Sequence, residues 1–155
     1  MSSRRAVPDD AAELVRLRAV MLSQAYREGW NDDWREPVRE SFARRLAEPV
    51  PALAAYVVDR PDGGGLAACA VGLIEERLGN PVDPSGRVGY VMSVATDPDM
   101  RRRGYARACM TGLLQWYRDQ GLRTLDLRAS GEAEPLYRSL GFARTADPSM
   151  RLRLV

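Results

Sequence analysis

Apolar residues recur along this chain with two different periods, which predict where its helices and strands lie. Residues 14–25 carry Leu, Met and Ala at helical spacing, and residues 38–46 repeat that pattern over a shorter length. The apolar stripe over residues 106–117 predicts a third helix, which ends before Gly121. A short fourth helix is predicted over residues 133–140. The helices thus fall into an early pair and a late pair.

Between and after these helices, runs rich in Val, Leu, Ile and Ala predict strands. Two of the runs are joined by a Pro-Asp-Gly-Gly-Gly turn, which is typical of a β-hairpin. The predicted strands cover residues 4–7, 53–59, 66–75, 88–96, 124–128, 142–145 and 150–154. This order indicates one mixed α/β sheet with helices packed on it. No segment marks a boundary, so we expect a single domain over residues 1–155.

Composition and charge narrow the class of protein. The 155 residues are 45% apolar and 28% charged, with a formal net charge of +2. Since the arginines are spread along the chain, we expect no nucleic-acid partner. No apolar run approaches the roughly 20 residues of a membrane span, and the N-terminal segment lacks the apolar core of a signal peptide. We therefore expect no membrane association and a cytoplasmic location.

The residue types that are missing exclude several kinds of chemistry. All 23 basic residues are arginines, and the chain contains no histidine. A histidine general base, a histidine-based triad and a histidine-ligated metal are therefore excluded. Cys69 and Cys109 belong to no Cys-x-x-Cys pattern, so we expect two buried thiols and no metal site. Neither lies in an obvious nucleophile setting, which favours chemistry without a covalent intermediate.

The most specific pattern covers residues 94–110, where a strand, a polar turn, a glycine-bearing loop and a helix follow one another. Such a loop points successive backbone amides at one spot, and the helix N-terminus adds positive partial charge. Gly104 permits close approach of the backbone, and arginines surround it. An anion such as a pyrophosphate fits there. The P-loop and dinucleotide motifs are absent; the alternative interpretation is a solvated charged turn.

Two motifs carry a resemblance to a known family. RRRGYA at residues 101–106 resembles the [RQ]-x-x-G-x-[GA] signature of the GNAT superfamily of N-acetyltransferases, and it follows a Val-x-x-Asp-Pro turn as in that family. AEPLYRSLGF at residues 133–142 resembles the family's second motif, A-x-x-L-Y-x-x-x-G-F. The order of elements is similar to the family's over nearly the whole chain.

The resemblance implies a fold and an activity. The fold is a mixed, mostly antiparallel sheet of six to seven strands, flanked by about four helices and splayed at the central strands. The activity is transfer of an acetyl group from acetyl-CoA to a primary amine by direct attack, without a metal. The acceptor would be a small-molecule or peptide amine, and a homodimer is common in the family. The alternative is a non-catalytic acyl-CoA-binding module of the same fold.

The family's motif also implies which residues hold acetyl-CoA. The strand before the loop would bond through its backbone to the pantetheine arm, as in β-strand addition, and the loop amides would meet the pyrophosphate. The implied cofactor-binding residues are Val94, Ala95, Thr96, Arg101, Arg102, Arg103, Gly104, Tyr105, Ala106, Arg107, Ser130 and Tyr137. Ser130 departs from the pattern, because many members have the longer Asn at that position.

Tyr137 matches the family's usual general acid, because a phenol near the sulfur can protonate the leaving thiolate. Many members also carry a Glu base on the strand before the loop, but residues 89–93 hold no carboxylate. Three alternatives stay open. Ser93 could order a water, Glu75 or Glu76 could reach in from the preceding strand, or the amine could arrive already neutral.

Family members build the acceptor pocket partly from the segment between the first two helices. Here that segment holds Trp30, Asp32, Asp33 and Trp34. Carboxylates beside indoles suit a cationic amine through charge and cation–π contact. We therefore assign substrate binding to Trp30, Asp33 and Trp34. The alternative is a solvated loop with its tryptophans tucked into the surface.

Overall fold

The computed structural model describes residues 2–155, which form five strands and four helices. The strands are β1 (Arg4–Arg5), β2 (Leu53–Asp59), β3 (Leu66–Glu76), β4 (Arg87–Thr96) and β5 (Leu125–Leu127), and the helices are α1 (Ala11–Ala25), α2 (Arg35–Leu46), α3 (Tyr105–Asp119) and α4 (Glu134–Ser139). Short 3-10 turns precede α1 and α3, at Pro8–Asp10 and Pro98–Met100. Among the described residues, no helix is both long enough and apolar enough to cross a membrane.

The strands lie in the sheet in chain order, from β1 to β5. Neighbouring strands run antiparallel except β4 and β5, which are parallel and are joined by α3 as the crossover that parallel pairing requires. One face of the sheet packs against α3 around Met110 and Leu113, and the other packs against α1 and α2 around Leu14, Leu17 and Phe42. The mixed, mostly antiparallel sheet flanked by four helices is therefore confirmed.

The number of strands differs from the six to seven that the resemblance implied. Residues 142–145 and 150–154 form no strand in the described chain, although their sequences suggested one. Met150, Leu152 and Leu154 are each more than 80% exposed. A segment of alternating apolar and polar residues forms a strand only when a neighbouring strand supplies hydrogen bonds and its apolar side chains have a surface to pack against. The edge strand β5 is three residues long, so it offers only a short ladder.

β4 and β5 separate soon after they begin to pair. The ladder joins residues 89–91 to Leu125–Leu127 and ends there, so β4 has no strand partner on that side from Met92 onward. On its other side β4 stays paired with β3, except at a bulge that contains Ser93, whose φ is 49°. The splay of the central strands is therefore confirmed, and it leaves backbone groups of β4 without a strand partner.

Tyr117 of α3 packs directly against two glycines of the sheet. Its hydroxyl lies 2.9 Å from the carbonyl oxygen of Leu73 and 3.2 Å from that of Tyr90, so it bridges β3 and β4. A Cβ atom at Gly72 would lie 2.8 Å from Tyr117 Cζ, and one at Gly89 would lie 2.6 Å from Tyr117 Cε1. Both glycines are thus required by the close approach of α3 to the sheet.

Gly72→Ala is expected to lower the free energy of unfolding by about 1–3 kcal/mol, because the added methyl group forces Tyr117 and Leu113 to move. Gly131→Ala is the matched control, since nothing lies within 4 Å of a Cβ atom at that position. Urea unfolding followed by circular dichroism measures both variants. Equal losses in the two would contradict the explanation from close approach.

Candidate active site

A cleft of about 1140 Å³ opens where β4 and β5 separate. Its walls are the C-terminal half of α1, the second half of β4, the loop before α3 with the first turn of that helix, and the segment that leads into α4. A smaller hollow of about 440 Å³ lies between β5, α4 and residues 142–145, and the two share Tyr137. The main cleft exceeds the volume of about 300–1,000 Å³ that is usual for small-ligand sites, so it suits a larger ligand.

The loop before α3 presents unpaired backbone amides to this cleft. Arg102 and Gly104 have φ values of 64° and 80°, and the first amide that donates into the helix is that of Ala108, 3.0 Å from the Gly104 carbonyl oxygen. Within residues 2–155, the amides of residues 102–107 donate no hydrogen bond. A Cβ atom at Gly104 would meet nothing within 4 Å. This open arc of amides at a helix N-terminus can bind an anion.

The start of the loop is held by the buried carboxylate of Asp97. Arg16 donates to both of its oxygens, at 2.7 and 2.9 Å, and Arg60 donates to one of them at 2.9 Å. The Asp97 amide donates to the Ala67 carbonyl oxygen at 2.8 Å. Glu13 accepts a hydrogen bond from Arg16 at 2.6 Å, and that bond holds the pKa of Glu13 below its usual value. The network ties α1, β3 and the loop together at one point.

Ser93 and Arg18 meet in the cleft, at the bulge of β4. The Ser93 side chain is buried, and its hydroxyl accepts a hydrogen bond from Arg18 Nη1. The Ser93 carbonyl oxygen accepts a bond of 3.2 Å from the Cys69 thiol. Burial lowers the pKa of the Arg18 guanidinium. Because the Ser93 oxygen already accepts a hydrogen bond from Arg18, the hydroxyl is free to donate its own hydrogen to a ligand or a water.

The second motif places Tyr137 in the lining of the cleft. Gly141 ends α4 with a φ of 101°, and the Phe142 amide then donates to the Tyr137 carbonyl oxygen at 3.0 Å. The rings of Tyr137 and Phe142 pack edge to face with centroids 5.9 Å apart. Tyr137 is buried, which raises the pKa of its phenol, and its hydroxyl bonds to no acceptor in the described residues. It is therefore a protonated donor at neutral pH.

Most of the other residues predicted to hold acetyl-CoA line the same cleft. Those that line it are Val94, Ala95, Thr96, Arg101, Arg102, Gly104, Tyr105, Ala106, Arg107 and Ser130. Arg103 is exposed and does not line it. The Ser130 hydroxyl accepts a hydrogen bond from the Ala133 amide at 3.2 Å, so it shapes the turn into α4. Arg107 donates to Ser139 at 2.7 Å and links α3 to that helix.

The structure places the predicted base candidate on β3 outside the cleft. Glu75 lies opposite Val88, whereas the cleft end of β3 is marked by the pairing of Ala68 with Thr96. Its carboxylate pairs with Arg77 at 2.8 Å. Glu76, the last residue of the strand, is exposed and lines no part of the cleft either. Neither carboxylate is therefore among the groups that the structure brings together in the cleft.

The predicted acceptor residues also lie outside the cleft lining. Trp30 and Trp34 pack edge to face with centroids 5.9 Å apart, and Trp34 Nε1 donates to the Asn31 carbonyl oxygen at 2.9 Å. Asp32 pairs with Arg35 at 2.7 Å. None of these residues, nor Asp33, lines the cleft. Asp32 thus contacts the first residue of α2, and Trp34 packs against the core on the α1 and α2 face of the sheet.

Sequence reasoning missed the side chains of α1 that do line the cleft. They are Arg18, Val20, Met21, Leu22, Gln24 and Ala25, followed by Tyr26. A signal was available, because Arg18 is one helical turn from both Leu14 and Leu22 and so falls on the apolar face. A charged residue on a face that packs against a sheet is uncommon, which makes Arg18 a candidate functional residue.

The fold and the cleft together define an α+β protein whose sheet opens into a cleft lined by unpaired backbone amides. Residues 19–142 match the model of the acetyltransferase (GNAT) family. The chain therefore belongs to the GNAT acetyltransferase family. A comparison with curated protein sequences gives no match.

Solved structures with the same fold cover nearly the whole chain. A predicted acetyltransferase with acetyl-CoA from Clostridium acetobutylicum is 23% identical with a TM-score of 0.84, covering 99% of this chain and 96% of its own. A GCN5-related N-acetyltransferase from Ralstonia eutropha JMP134 is 24% identical with a TM-score of 0.80, covering 97% of each chain. Glucosamine-6-phosphate N-acetyltransferase from Arabidopsis thaliana is 18% identical with a TM-score of 0.71, also covering 97% of each.

Asp97→Asn is expected to lower the free energy of unfolding by about 1–3 kcal/mol, because two arginines lose their shared carboxylate. The loss is smaller than for a fully buried pair, since the Arg16 side chain is 38% exposed. Asp62→Asn is the control, because Asp62 contacts the same Arg60 from the surface, at 3.5 Å. Thermal and urea unfolding compare the two, and equal effects would argue against an anchoring role for Asp97.

Proposed function

We propose that this protein transfers an acetyl group from acetyl-CoA to a primary amine by direct attack. The observation that carries the proposal is the arc of unpaired amides at residues 102–107, which opens into a cleft that reaches along β4 to Tyr137. A diphosphate is the anion that such an arc suits, and acetyl-CoA joins a diphosphate to an amide-bearing arm and a thioester. That the Clostridium structure was determined with acetyl-CoA agrees with this choice.

In the proposed complex the loop before α3 and strand β4 bind different parts of acetyl-CoA. The amides of residues 102–107 hold the diphosphate, with Arg101, Arg102 and Arg107 adding charge, while Arg103, which does not line the cleft, contributes less. The backbone of residues 94–96 hydrogen-bonds the amides of the pantetheine arm in place of the missing strand neighbour.

The reaction needs a neutral amine and a proton for the departing thiolate. As the amine forms a C–N bond to the acetyl carbon, the C–S bond breaks and Tyr137 donates a proton to the sulfur. The amine's proton passes to solvent, and the Tyr137 phenolate regains a proton from solvent. Arginines outnumber carboxylates among the cleft-lining residues, and this positive charge favours the neutral form of the amine. No carboxylate base on β4 is then required, and the Ser93 hydroxyl orders the water that carries the proton away.

The buried thiols support direct attack over a cysteine intermediate. Cys69 and Cys109 are both fully buried, and burial raises the pKa of Cys69 to about 12 and also raises that of Cys109. Only the thiolate is an effective nucleophile, and both groups stay protonated at neutral pH. Neither sulfur is positioned to take the acetyl group.

A second candidate function is binding of an acyl-CoA without turnover. It is favoured by the absence of a carboxylate at residues 89–93 and by the position of Glu75 outside the cleft. Release of free CoA thiol in the presence of amines decides between the two functions. Amine-dependent release supports transfer. Tight acetyl-CoA binding with no release from any amine of a broad panel supports the binding module, and no binding at all would overturn both.

We also propose a homodimer, supported by apolar side chains that the single chain leaves exposed at its C-terminus. These are Met150, Leu152, Leu154 and Val155. Exposed apolar surface of this kind is common where proteins associate. Light scattering on the purified protein measures the mass, and a monomer at micromolar concentration would overturn this proposal.

Gly104→Val is expected to lower the affinity for acetyl-CoA more than tenfold. A β-branched residue is strained at a φ of 80° and would fill the space in front of the free amides. Arg102→Ala is expected to cost less than about fivefold, because it removes one solvent-exposed charge and leaves the amides in place. Calorimetry with acetyl-CoA measures both, and circular dichroism checks that each variant is folded. The opposite order of effects would speak against binding through the backbone.

Tyr137→Phe is expected to lower kcat by about 100-fold while changing the KM for acetyl-CoA by less than about twofold. The variant keeps the ring contact with Phe142 but removes the proton donor. Phe142→Leu is the control, since it perturbs the same packing and leaves the hydroxyl. Steady-state thiol release measures both. An unchanged kcat in Tyr137→Phe would remove Tyr137 from the mechanism.

A further inference from the structure

One end of the cleft, formed by α1 and the bulge of β4, contains a single charged side chain. We call it the α1 end; its residues are Arg18, Met21, Leu22, Ala25, Tyr26, Met92 and Ser93. Arg18 is half-buried there, and its one side-chain hydrogen bond within residues 2–155 is the bond to the Ser93 hydroxyl. A guanidinium has five N–H donors, so most of those of Arg18 have no protein acceptor.

The neighbouring arginine of α1 shows that this lack of partners is particular to Arg18. Arg16, two residues earlier, is paired with both Glu13 and Asp97. Arg18 pairs with no carboxylate of the described chain, although a charge that loses water is stabilised by a counterion. Burial disfavours the charged form of Arg18 and so lowers the pKa of its guanidinium. An incoming anion would supply the missing partner.

The remaining charged side chains of the cleft lie on other segments of the chain. Arg101, Arg102 and Arg107 belong to the loop and the first turn of α3, where the diphosphate is proposed to bind, and Arg128 and Arg151 belong to the segments that follow β5 and α4. Among the cleft-lining residues that the structure describes, the one carboxylate is Glu132, on the segment between β5 and α4. A cationic group at the α1 end would therefore meet Arg18 and no carboxylate, whereas an anionic group would meet a compatible charge.

We propose that Arg18 binds an acidic group, a carboxylate or a phosphate, carried by the amine acceptor. The inference rests on the proposed function and names the class of its substrate: an amine that bears an anion, such as an amino acid or a phosphorylated amine. The planar guanidinium pairs with both groups through two parallel hydrogen bonds. Arg18 also contacts β4 at Ser93, next to the backbone proposed to bind the pantetheine arm, so an acceptor held there has its amine close to the thioester.

Matched pairs of amines test the inference by binding. Phosphoethanolamine is compared with ethanolamine, and alanine with alaninamide, by calorimetry on the protein saturated with CoA. The acidic member of at least one pair is expected to bind more than tenfold tighter, as for a hydrogen-bonded charge pair, and the pair that shows it tells phosphate from carboxylate. Equal affinities within both pairs would overturn the inference.

Substitutions then assign the preference to Arg18. Arg18→Gln is expected to reduce the ratio of affinities within a pair to less than about threefold, and Arg18→Lys is expected to keep part of it. Arg44→Gln is the control, because it removes an exposed charge of α2 that lines no part of the cleft. A preference that survives in Arg18→Gln, or is lost in Arg44→Gln, would overturn the assignment.

Thiol release from acetyl-CoA with the same four amines separates this inference from the proposed function. Turnover of neutral and acidic amines at equal kcat/KM supports acetyl transfer and overturns the proposal that Arg18 binds an acidic group of the acceptor. Binding of an acidic amine that depends on Arg18, without thiol release from any amine, supports the anion site and overturns acetyl transfer. Turnover that favours the acidic member and loses this preference in Arg18→Gln supports both.

Discussion

The candidate active site depends on the short ladder between β4 and β5, which ends at Val91. From that point the strands part, and the backbone of residues 92–96 lines a cleft where a longer ladder would have completed the sheet. Buried backbone groups without a partner are unfavourable. In this cleft they form a ready hydrogen-bonding edge for a ligand that carries amides of its own.

Two packing features anchor the ends of the splayed segment of β4. Tyr117 presses against glycines of β3 and β4 and bridges their carbonyl groups, which holds the paired part of the sheet together. Asp97 gathers Arg16 and Arg60 at the end of β4, so the loop that follows begins from a fixed point. Because both ends of the splayed segment are anchored, the free amides of the loop stay in place before any ligand arrives. Such preorganisation lowers the cost of ordering the site on binding.

Much of the fold could be predicted from local patterns. The four helices and the β-hairpin follow from the spacing of apolar residues, and Gly104 lies at the left-handed position that its loop requires. The pairing partners of the strands could not be read in this way. Residues 150–154 alternate as a strand would, yet they have no neighbouring strand to pair with in the structure. Alternating apolar and polar residues show that a segment can pair as a strand. Which strand it pairs with, if any, depends on how the sheet assembles.

The sequence by itself determined the class of the protein, because the loop at residues 101–106 and the turn at Gly141 act through backbone geometry that neighbouring residues dictate. Only the tertiary structure decided which side chains meet in the cleft. Arg18 lies far from Ser93 in the chain but contacts it in the fold, whereas Glu75 and Trp34 are directed elsewhere. The physical reason is that a side chain's neighbours across a sheet depend on register and helix packing, and sequence spacing does not specify either one.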